Sequence, residues 1–291
     1  MFGGATANKT YSNALLVARG AETGGAVGPW TPVQASGEPP SPRHSHTAVL
    51  HDHAMWVFGG QRALHAFAEV HVFNFTTRAW AYAPARSARA PPPRFDHAAA
   101  VAANKMVVYG GRDASAAFLT DVWAFDFGSR EWELVANTTA MGGRFGHSAA
   151  APPGSSTMYV FGGYSDVGLS AELFACDVTT GYCADFSMGC TPAVVVPGFV
   201  PAGLSARLGH SLHADSARVY IYGGANLAGP VGFSEVYMFV QESCVWEAAA
   251  VVGAPVGRYD HAAWLTQRGL YVQGGKYDGE YKADTQFFPV C

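Results

Sequence analysis

The chain has 291 residues, of which 49% are hydrophobic and only 14% are charged, so it has enough apolar material for a buried core. Its formal net charge of −4, from 18 basic and 22 acidic residues without a run of like charges, gives no reason to expect nucleic acid or an anionic membrane as a partner. No apolar run reaches the roughly 18 to 20 residues that a membrane helix needs. We therefore expect one globular domain over residues 1–291 that neither binds nucleic acid nor inserts into a membrane.

Six copies of a short apolar run that ends in two glycines divide the chain. The second glycines stand at positions 4, 60, 111, 163, 224 and 275, which are 56, 51, 52, 61 and 51 residues apart. A constant period in this range indicates a repeat architecture. The backbone must turn sharply after each apolar run, and glycine reaches positive φ without a side-chain clash. The five complete copies end in Gly59 and Gly60, Gly110 and Gly111, Gly162 and Gly163, Gly223 and Gly224, and Gly274 and Gly275.

The same elements surround each pair of glycines. Upstream stands an Arg-x-x-His element, formed by Arg43 and His46, Arg94 and His97, Arg144 and His147, Arg207 and His210, and Arg258 and His261. Downstream, a polar or acidic residue opens a second apolar run, at Asn13, Glu69, Asp121, Glu172, Glu235 and Asp284. A tryptophan follows seven residues after the aromatic residue of that run in three periods, as in Phe73 and Trp80. Each period therefore predicts four short strands, which we call a, b, c and d.

With these elements in register over almost the whole chain, the sequence resembles the kelch-repeat β-propellers. The resemblance implies an all-β fold in which four-stranded antiparallel blades surround a central channel. The blades would span residues 1–40, 41–91, 92–142, 143–205, 206–256 and 257–291. Because the first blade lacks strand a and the last lacks strand d, we expect a six-bladed kelch-type β-propeller with incomplete first and last blades and an open seam. We expect the propeller to be monomeric and to form part of a longer chain. The full propeller then has either six or seven blades.

The cysteines and the glycosylation motifs bear on the cellular compartment. In blade 4, Cys176 and Cys183 stand seven residues apart, at the positions of the aromatic residue and the tryptophan in other blades. Those positions face each other across the c–d hairpin, so we predict a disulfide; two buried free thiols are the alternative. Asn8, Asn74 and Asn137 each open a sequon for N-glycosylation. Both features favour an extracellular or secretory protein over a cytoplasmic one.

The repeated arginines and histidines have either a binding role or a structural role. A ring of arginines near a channel would attract carboxylates. However, a residue required once per blade is typical of a structural task, whereas a catalytic residue is usually unique. We therefore assign these ten residues and the paired glycines to the structure, and among them only the arginines retain a potential to bind ligand. We expect no metal and no cofactor, because the cysteine spacing does not fit a zinc site.

The features that break the repeat lie in the loops. From Cys183 to Arg207 the chain runs 24 residues, against 12 to 14 in the other blades, and the insertion contains an apolar run at 194–201. In kelch propellers the d–a and b–c loops share one face, which typically receives partners; we call it the loop face. The apolar run is either a contact site on this face, with Val195 and Phe199 as candidates, or packing. The other ligand-binding candidates follow the paired glycines and are Arg62, Arg112, Asp113, Tyr164, Asn226, Lys276 and Tyr277.

These observations predict a non-catalytic recognition module that binds a protein or peptide through the loop face, as part of a larger protein. An enzyme like galactose oxidase or the propeller epimerases is one alternative, although the sequence shows no residue set for a radical copper site or an acidic metal triplet. The other alternative is an intracellular kelch adaptor of a ubiquitin ligase or of the cytoskeleton.

Overall fold

The b strands are buried because each blade lies between two others. In the computed structural model, strand b of blade 3, Lys105–Tyr109, pairs antiparallel with strand a, Ala98–Ala102, and with strand c, Asp121–Asp126. Met106 packs into the core shared with blade 2, whereas Val107 packs into the core shared with blade 4. Alternate side chains of one strand thus enter two different cores, which explains why both faces are apolar.

The structure describes residues 1–6, 8, 10–19, 27–137, 140–186, 204–227, 233–249 and 256–289. Blades 2 to 5 contain all four strands in the spatial order a, b, c, d. In blade 2 these are Thr47–His51, Ala54–Phe58, Val70–Asn74 and Ala79–Tyr82, and in blade 3 the fourth is Trp132–Asn137. In blade 4 they are Ser148–Ala150, Thr157–Phe161, Leu173–Asp177 and Tyr182–Asp185. In blade 5 they are Leu208–Ala214, Arg218–Ala225, Val236–Val240 and Val245–Ala248.

The first and last blades are incomplete, as predicted. Blade 6 has strands a, b and c, which are Ala262–Thr266, Gly269–Gln273 and Thr285–Phe288. Blade 1 consists of a bridge between Phe2 and Leu15 and the pair Leu16–Val17 with Thr31–Pro32. Short ribbons follow the glycines of three blades: Gln61–Arg62 with His65–Ala66, Tyr164–Ser165 with Arg144–Phe145 and Gly168–Leu169, and Lys276–Tyr277 with Glu280–Tyr281. The described ranges contain no helix, hence none long and apolar enough to cross a membrane. The predicted all-β propeller fold is therefore confirmed.

Residues 36–37 add a fifth strand to blade 2. Ser36–Gly37, inside the range predicted for blade 1, pairs in parallel with Ala79 and Trp80 of strand d. Gly37 has a φ of 75°, and a Cβ atom added there would lie 2.1 Å from the carbonyl oxygen of Trp80. Only glycine permits this approach, and the extra strand covers the outer edge of blade 2.

Blades 1 and 6 meet through Trp30. In blades 1, 2 and 4 the aromatic residue at the end of strand b packs against the strand d tryptophan of the next blade, as Phe58 does with Trp132 at 4.9 Å between ring centroids. Trp30 holds the equivalent place against blade 6, where Gln273 replaces the aromatic residue and accepts a 2.7 Å hydrogen bond from the indole N–H. Trp30 also lies edge-on to Trp264, at 6.4 Å. The described residues of blades 1 and 6 are therefore in contact through this side chain.

Cys176 and Cys183 form a disulfide across the c–d hairpin of blade 4. The two residues are register partners with Cα atoms 4.0 Å apart. Both sulfur atoms belong to the core between blades 3 and 4. The bond thus takes the place that an aromatic ring and a tryptophan fill in other blades.

We expect the double substitution of Cys176→Ala and Cys183→Ala to lower the free energy of unfolding by about 2 kcal/mol, because the unfolded chain loses a constraint on a short loop. Urea unfolding of the variant and the wild-type protein, both without reductant, measures this difference. Intact mass spectrometry before and after alkylation checks that the wild-type bond is formed. Equal unfolding midpoints would show that the bond does not stabilise blade 4.

Candidate ligand-binding face

The arginines of the Arg-x-x-His elements connect strands a, b and c within one blade. Each donates a hydrogen bond of 2.8 to 3.0 Å from Nη1 to the carbonyl of the first glycine of its own blade. Four of them also pair with the acidic residue at strand c, as Arg94 does with both carboxylate oxygens of Asp121 at 2.8 Å. All five are at most 3% exposed. Their guanidinium groups therefore stabilise the backbone beneath the loop face and are not accessible to a ligand on the surface.

The five histidines of these elements pack between blades. The ring of His97 lies edge-on to Phe58 of the preceding blade, 5.3 Å between centroids. A Cβ atom added at Gly59 would lie 2.7 Å from His97 Cε1, so a side chain at this position would collide with the ring. Burial lowers the pKa of His46 to about 4 and the pKa values of His147 and His261 to about 3. These rings are neutral at pH 7 and act as packing groups.

The first of the two residues between arginine and histidine lies on the loop face. It forms an antiparallel bridge with the residue that follows the paired glycines. Phe95 faces Arg112 in this way, Phe145 faces Tyr164, and Tyr259 faces Lys276. Each bridge brings one residue of the Arg-x-x-His element beside one of the ligand-binding candidates.

The second of these residues forms a hydrogen-bonded arc around the channel mouth. In blades 2 to 6 this residue has a left-handed conformation, with φ between 55° and 66°. From blade 3 to blade 6, the N–H of this residue donates to the carbonyl of its counterpart in the preceding blade, at 2.8 to 3.2 Å. The bonds run from Asp96 to Ser45, from Gly146 to Asp96, from Gly209 to Gly146 and from Asp260 to Gly209. This mouth arc fixes the spacing of the loops on either side of it.

A cluster of one arginine and four rings lies between blades 3 and 4. The Arg112 guanidinium lies 4.1 Å from the ring centroid of Phe145 and 4.9 Å from that of Phe95, and it forms an ion pair with Asp96. Phe145 contacts Phe118 and Tyr164, with centroids 5.4 and 5.6 Å apart. The Arg112 side chain is 26% exposed. The arginine–aromatic cluster, formed by Phe95, Arg112, Phe118, Phe145 and Tyr164, therefore presents an ordered cation at the surface.

A second cluster lies on blade 6. Lys276 Nζ is 3.5 Å from a carboxylate oxygen of Asp260, 4.9 Å from the ring centroid of Tyr281 and 5.7 Å from that of Tyr259. Burial raises the pKa of Asp260, Lys276 opposes this rise, and the negative charge of Asp96 adds to it. Asp96 and Asp260 both belong to the mouth arc, so the two clusters lie at the same channel mouth. We call this group the lysine–tyrosine cluster: Tyr259, Lys276, Tyr277, Tyr281 and Lys282.

The predicted ligand-binding residues divide between these clusters and other positions. Arg112 and Tyr164 belong to the arginine–aromatic cluster, and Lys276 and Tyr277 to the lysine–tyrosine cluster. Arg62 is exposed on its ribbon in blade 2, and Asn226 follows strand b of blade 5. Asp113 caps its own loop, because its Oδ1 accepts hydrogen bonds from the N–H groups of Ser115 and Ala117. Val195 and Phe199 lie outside the described residues.

Sequence reasoning missed the residues inside the Arg-x-x-His elements. Phe95, Asp96, Phe145, Tyr259 and Asp260 all occupy positions that the motif treats as variable. A signal was present, since the first variable position is aromatic in blades 3, 4 and 6 and the second is acidic in blades 3 and 6. Within the described ranges, no group of three or more His, Cys, Asp or Glu residues is placed to hold a metal ion.

The sequon asparagine of blade 2 has a role in its hairpin turn. Asn74 Oδ1 accepts hydrogen bonds of 2.9 Å from the N–H groups of Thr76 and Thr77. Asp126 and Asp177 accept equivalent bonds in the c–d turns of blades 3 and 4. The Asn74 side chain therefore stabilises this turn by hydrogen bonds that need no glycan. Glycosylation at the three sequons stays a prediction.

Residues 1–195 match the family model of the Attractin/LZTR1 β-propeller. The chain is 28% identical over 281 residues to the leucine-zipper-like transcriptional regulator 1 homolog of Drosophila melanogaster, a match that covers 90% of this chain and 28% of that protein. It is 27% identical over 258 residues to kelch domain-containing protein 3 of Bos taurus, covering 80% of this chain and 64% of that one. A shorter match, 32% over 154 residues, covers half of this chain and 43% of the N-(sulfonatooxy)prop-2-enimidothioate sulfolyase of Thlaspi arvense. The chain thus spans less than two thirds of each relative's length.

Proposed function

We propose that this chain, which belongs to the Attractin/LZTR1 β-propeller family, is a non-catalytic module that binds a protein or peptide through the loop face. The observation that carries the proposal is the arginine–aromatic cluster beside the channel mouth. Arginine and tyrosine are enriched among residues that dominate binding energy at interfaces. Both types occur here in one half-buried group, with Arg112 held between two phenyl rings.

Pre-organisation makes this cluster suitable for binding. The contacts of Arg112 with Phe95, Phe145 and Asp96 restrict its side chain before a partner arrives, so that less rotamer entropy is lost on association. One carboxylate does not use all five N–H donors of a guanidinium group, and the remaining donors suit a carboxylate or a main-chain carbonyl of the partner. The rings of Phe118 and Tyr164 offer apolar surface next to these donors.

The lysine–tyrosine cluster extends the same surface on the other side of the mouth. Lys276 and Lys282 each lie over tyrosine rings and near a carboxylate of the chain. Cations and rings on both sides of the channel favour a partner segment with acidic and apolar side chains. The carboxylates at the mouth, Asp96 and Asp260, are each held in an ion pair, an arrangement that supports binding rather than proton transfer.

We expect Arg112→Ala and Tyr164→Ala to weaken peptide binding at least tenfold each, since each removes a central contact of the cluster. A phage-displayed library of random 12-residue peptides is selected on the wild-type protein, and synthetic copies of enriched peptides are titrated against both variants by fluorescence anisotropy. Arg130→Ala, in the c–d hairpin at the opposite end of blade 3, is the matched control and should bind like the wild type. Circular dichroism checks that all variants are folded. Enriched peptides that bind the Arg112 and Tyr164 variants at full strength, or the absence of enrichment, would contradict the proposal.

A further inference from the structure

A cavity lies between blades 2 and 3, at the end of the propeller opposite the loop face. We propose that it holds the first sugar, an N-acetylhexosamine, of a glycan attached to Asn74. The cavity has a volume of about 530 Å³, which is within the range of sites for small molecules. Residues of the a–b and c–d hairpins of both blades form its walls. We call it the hairpin cleft and define it by His51, Trp56, Asn74, Asn104, Phe127 and Arg130.

Asn74 is the one sequon asparagine in the wall of the hairpin cleft. Its Oδ1 accepts hydrogen bonds from the c–d turn, whereas its Nδ2 has no partner in the described part of the chain and is accessible. A sugar on Nδ2 leaves Oδ1 in place, so the bonds of the turn persist after glycosylation. Thr76, the third residue of the sequon, is exposed. This position can therefore carry a glycan without a change in the hairpin.

The attachment is a group transfer that needs a second substrate. An oligosaccharyltransferase forms the bond between Nδ2 of Asn74 and C1 of the sugar, and it breaks the bond between C1 and the diphosphate of a polyprenyl diphosphate-linked oligosaccharide. Nδ2 loses one proton, and the lipid diphosphate leaves with the electron pair of the broken bond. This reaction takes place in the secretory pathway, where a disulfide such as Cys176–Cys183 is also stable.

The inner wall of the hairpin cleft is aromatic. The rings of His51 and Phe127 are stacked, with centroids 4.1 Å apart, and the ring of Trp56 lies 5.0 Å from that of Phe127. The C–H groups of a sugar ring and the methyl group of its N-acetyl substituent are apolar. Contact with these aromatic rings would remove apolar surface from water on both sides.

The hairpin cleft also contains hydrogen-bond donors that the described residues do not use. The indole N–H of Trp56 is buried without an acceptor. In blade 4 the corresponding residue is Tyr159, whose hydroxyl donates to Gln241 Oε1 of the next blade at 3.1 Å. Phe127 stands at the place of Gln241 in blade 3 and offers no acceptor. Trp56 is therefore a donor for an oxygen atom of a ligand.

Arg130 and Asn104 supply further polar groups on the blade 3 side of the hairpin cleft. Within the described ranges, the Arg130 guanidinium lies near no carboxylate and the Asn104 side chain has no hydrogen-bond partner. The hydroxyl and carbonyl oxygens of an N-acetylhexosamine accept hydrogen bonds from both side chains, and its hydroxyls donate to the amide oxygen. A sugar attached to Asn74 of blade 2 would thus connect the hairpins of two blades.

The test compares one sequence with and without its glycan. The 291-residue chain with Thr10→Ala and Thr139→Ala, which keeps the sequon of Asn74, is secreted from cultured animal cells. An endoglycosidase trims the glycan to one N-acetylglucosamine, and peptide mass spectrometry measures the occupancy of Asn74. The same sequence made in the bacterial periplasm is the form without glycan. We expect the sugar to lower the equilibrium constant of urea unfolding by about fivefold or more, the effect of one or two net hydrogen bonds.

The matched control keeps the sequon of Asn137 instead, because Asn137 is exposed and lies outside the hairpin cleft. Its sugar should change the equilibrium constant by less than about twofold. Arg130→Ala and Trp56→Phe each remove one donor from the cleft, and each should reduce the effect of the Asn74 sugar to about twofold or less. Each variant is again compared with its own form without glycan, so that its effect on the fold cancels.

Three results would overturn the proposal. An unoccupied Asn74 in the secreted protein would show that no glycan is attached. Equal effects of the sugars at Asn74 and Asn137, or a full effect in both cleft variants, would place the sugar in solvent. Saturable binding of free N,N′-diacetylchitobiose to the form without glycan would assign the cleft to a sugar of another molecule. None of these results concerns the loop face, since Arg130→Ala should leave peptide binding unchanged.

Discussion

The free energy of unfolding is expected to fall steeply as the pH is lowered from 6.5 towards 4. Burial lowers the pKa of eight histidines, and the six with the largest shifts are His46, His97, His147, His210, His213 and His261; the other two are His44 and His71. The unfolded chain binds protons at these residues near pH 6.5. In the folded chain the pKa is about 4 for His46 and His213, about 3 for His147 and His261, and well below its usual value for His97 and His210. The stabilisation is therefore complete above pH 6.5 and is lost progressively as the pH decreases.

The size of this effect follows from the number of histidines. At pH 5, about 1.5 units below the unfolded pKa, each histidine that stays neutral costs about 2 kcal/mol of folding stability. Six such groups together approach the whole stability of a typical domain, about 5–15 kcal/mol. The carboxylates paired with arginine, such as Asp121, have lowered pKa values and lose their contribution only below their unfolded pKa of about 4. The loss between pH 6.5 and 5 is therefore due to the histidines.

Urea unfolding at pH 7.0, 6.0, 5.5 and 5.0 measures the loss, and its slope against pH gives the number of protons bound on unfolding. We expect this number to approach six at the acid end. His213→Leu should lower it by one, because this half-buried residue, whose Nε2 atom is buried, lies outside the Arg-x-x-His elements. Replacement of the exposed Leu64 by alanine, which changes no titratable group, is the control that should leave the slope unchanged. A midpoint that stays constant from pH 7 to 5 would contradict the neutral state of the buried rings.

The propeller was predictable because its determinants are local and repeated. Each blade repeats the sequence signals for strands a to d, and the seven-residue spacing of Phe73 and Trp80 corresponds to the observed cross-strand pair. The family match confirms the kelch-type assignment, and the Cys176–Cys183 bond follows from the same register. The position of Ser36–Gly37 was not predictable, because a two-residue parallel pairing leaves no periodic signal in the sequence.

The candidate site was predictable only in part, because its geometry depends on neighbouring blades. Sequence position alone brought Arg112 and Tyr164 to the loop face. Phe145 of blade 4 lies against Arg112 of blade 3 because of the angle between the two blades. The spacing of residues in the sequence does not give this angle. For the same reason the Arg-x-x-His motif treats Asp96 and Asp260 as variable positions, although the mouth arc places both at the channel. The repeated sequence pattern thus identifies the residues needed for the fold more readily than the residues exposed on the loop face.

Replacement of Arg94 by methionine is expected to lower the free energy of unfolding by about 3–5 kcal/mol, the range found when one partner of a buried ion pair is removed. Arg94 is fully buried and binds both oxygens of Asp121 as well as the Gly110 carbonyl. Burial alone would raise the pKa of Asp121, and the bonds from Arg94 bring it below its usual value. Without the arginine, the partly buried carboxylate would keep only the hydrogen bond from the Trp123 indole N–H, and the Gly110 carbonyl would lose this donor.

Three comparisons separate the ion pair from the loss of packing. Arg144→Met should cost less, because Arg144 lies 3.4 Å from a Glu172 carboxylate that is 50% exposed and so retains water. The double variant Arg94→Met with Asp121→Asn should recover part of the loss, because it removes the uncompensated charge. Arg94→Lys should fall between the wild type and Arg94→Met, since it keeps the charge but cannot bind both oxygens and the carbonyl. Chemical unfolding at pH 7 gives the free energies of unfolding of the four variants, with Arg89→Met as the exposed control.

The contrary result is a double variant that is no more stable than Arg94→Met. In that case the guanidinium group stabilises the blade by packing, and the ion pair between the arginine and the acidic residue of strand c does not contribute.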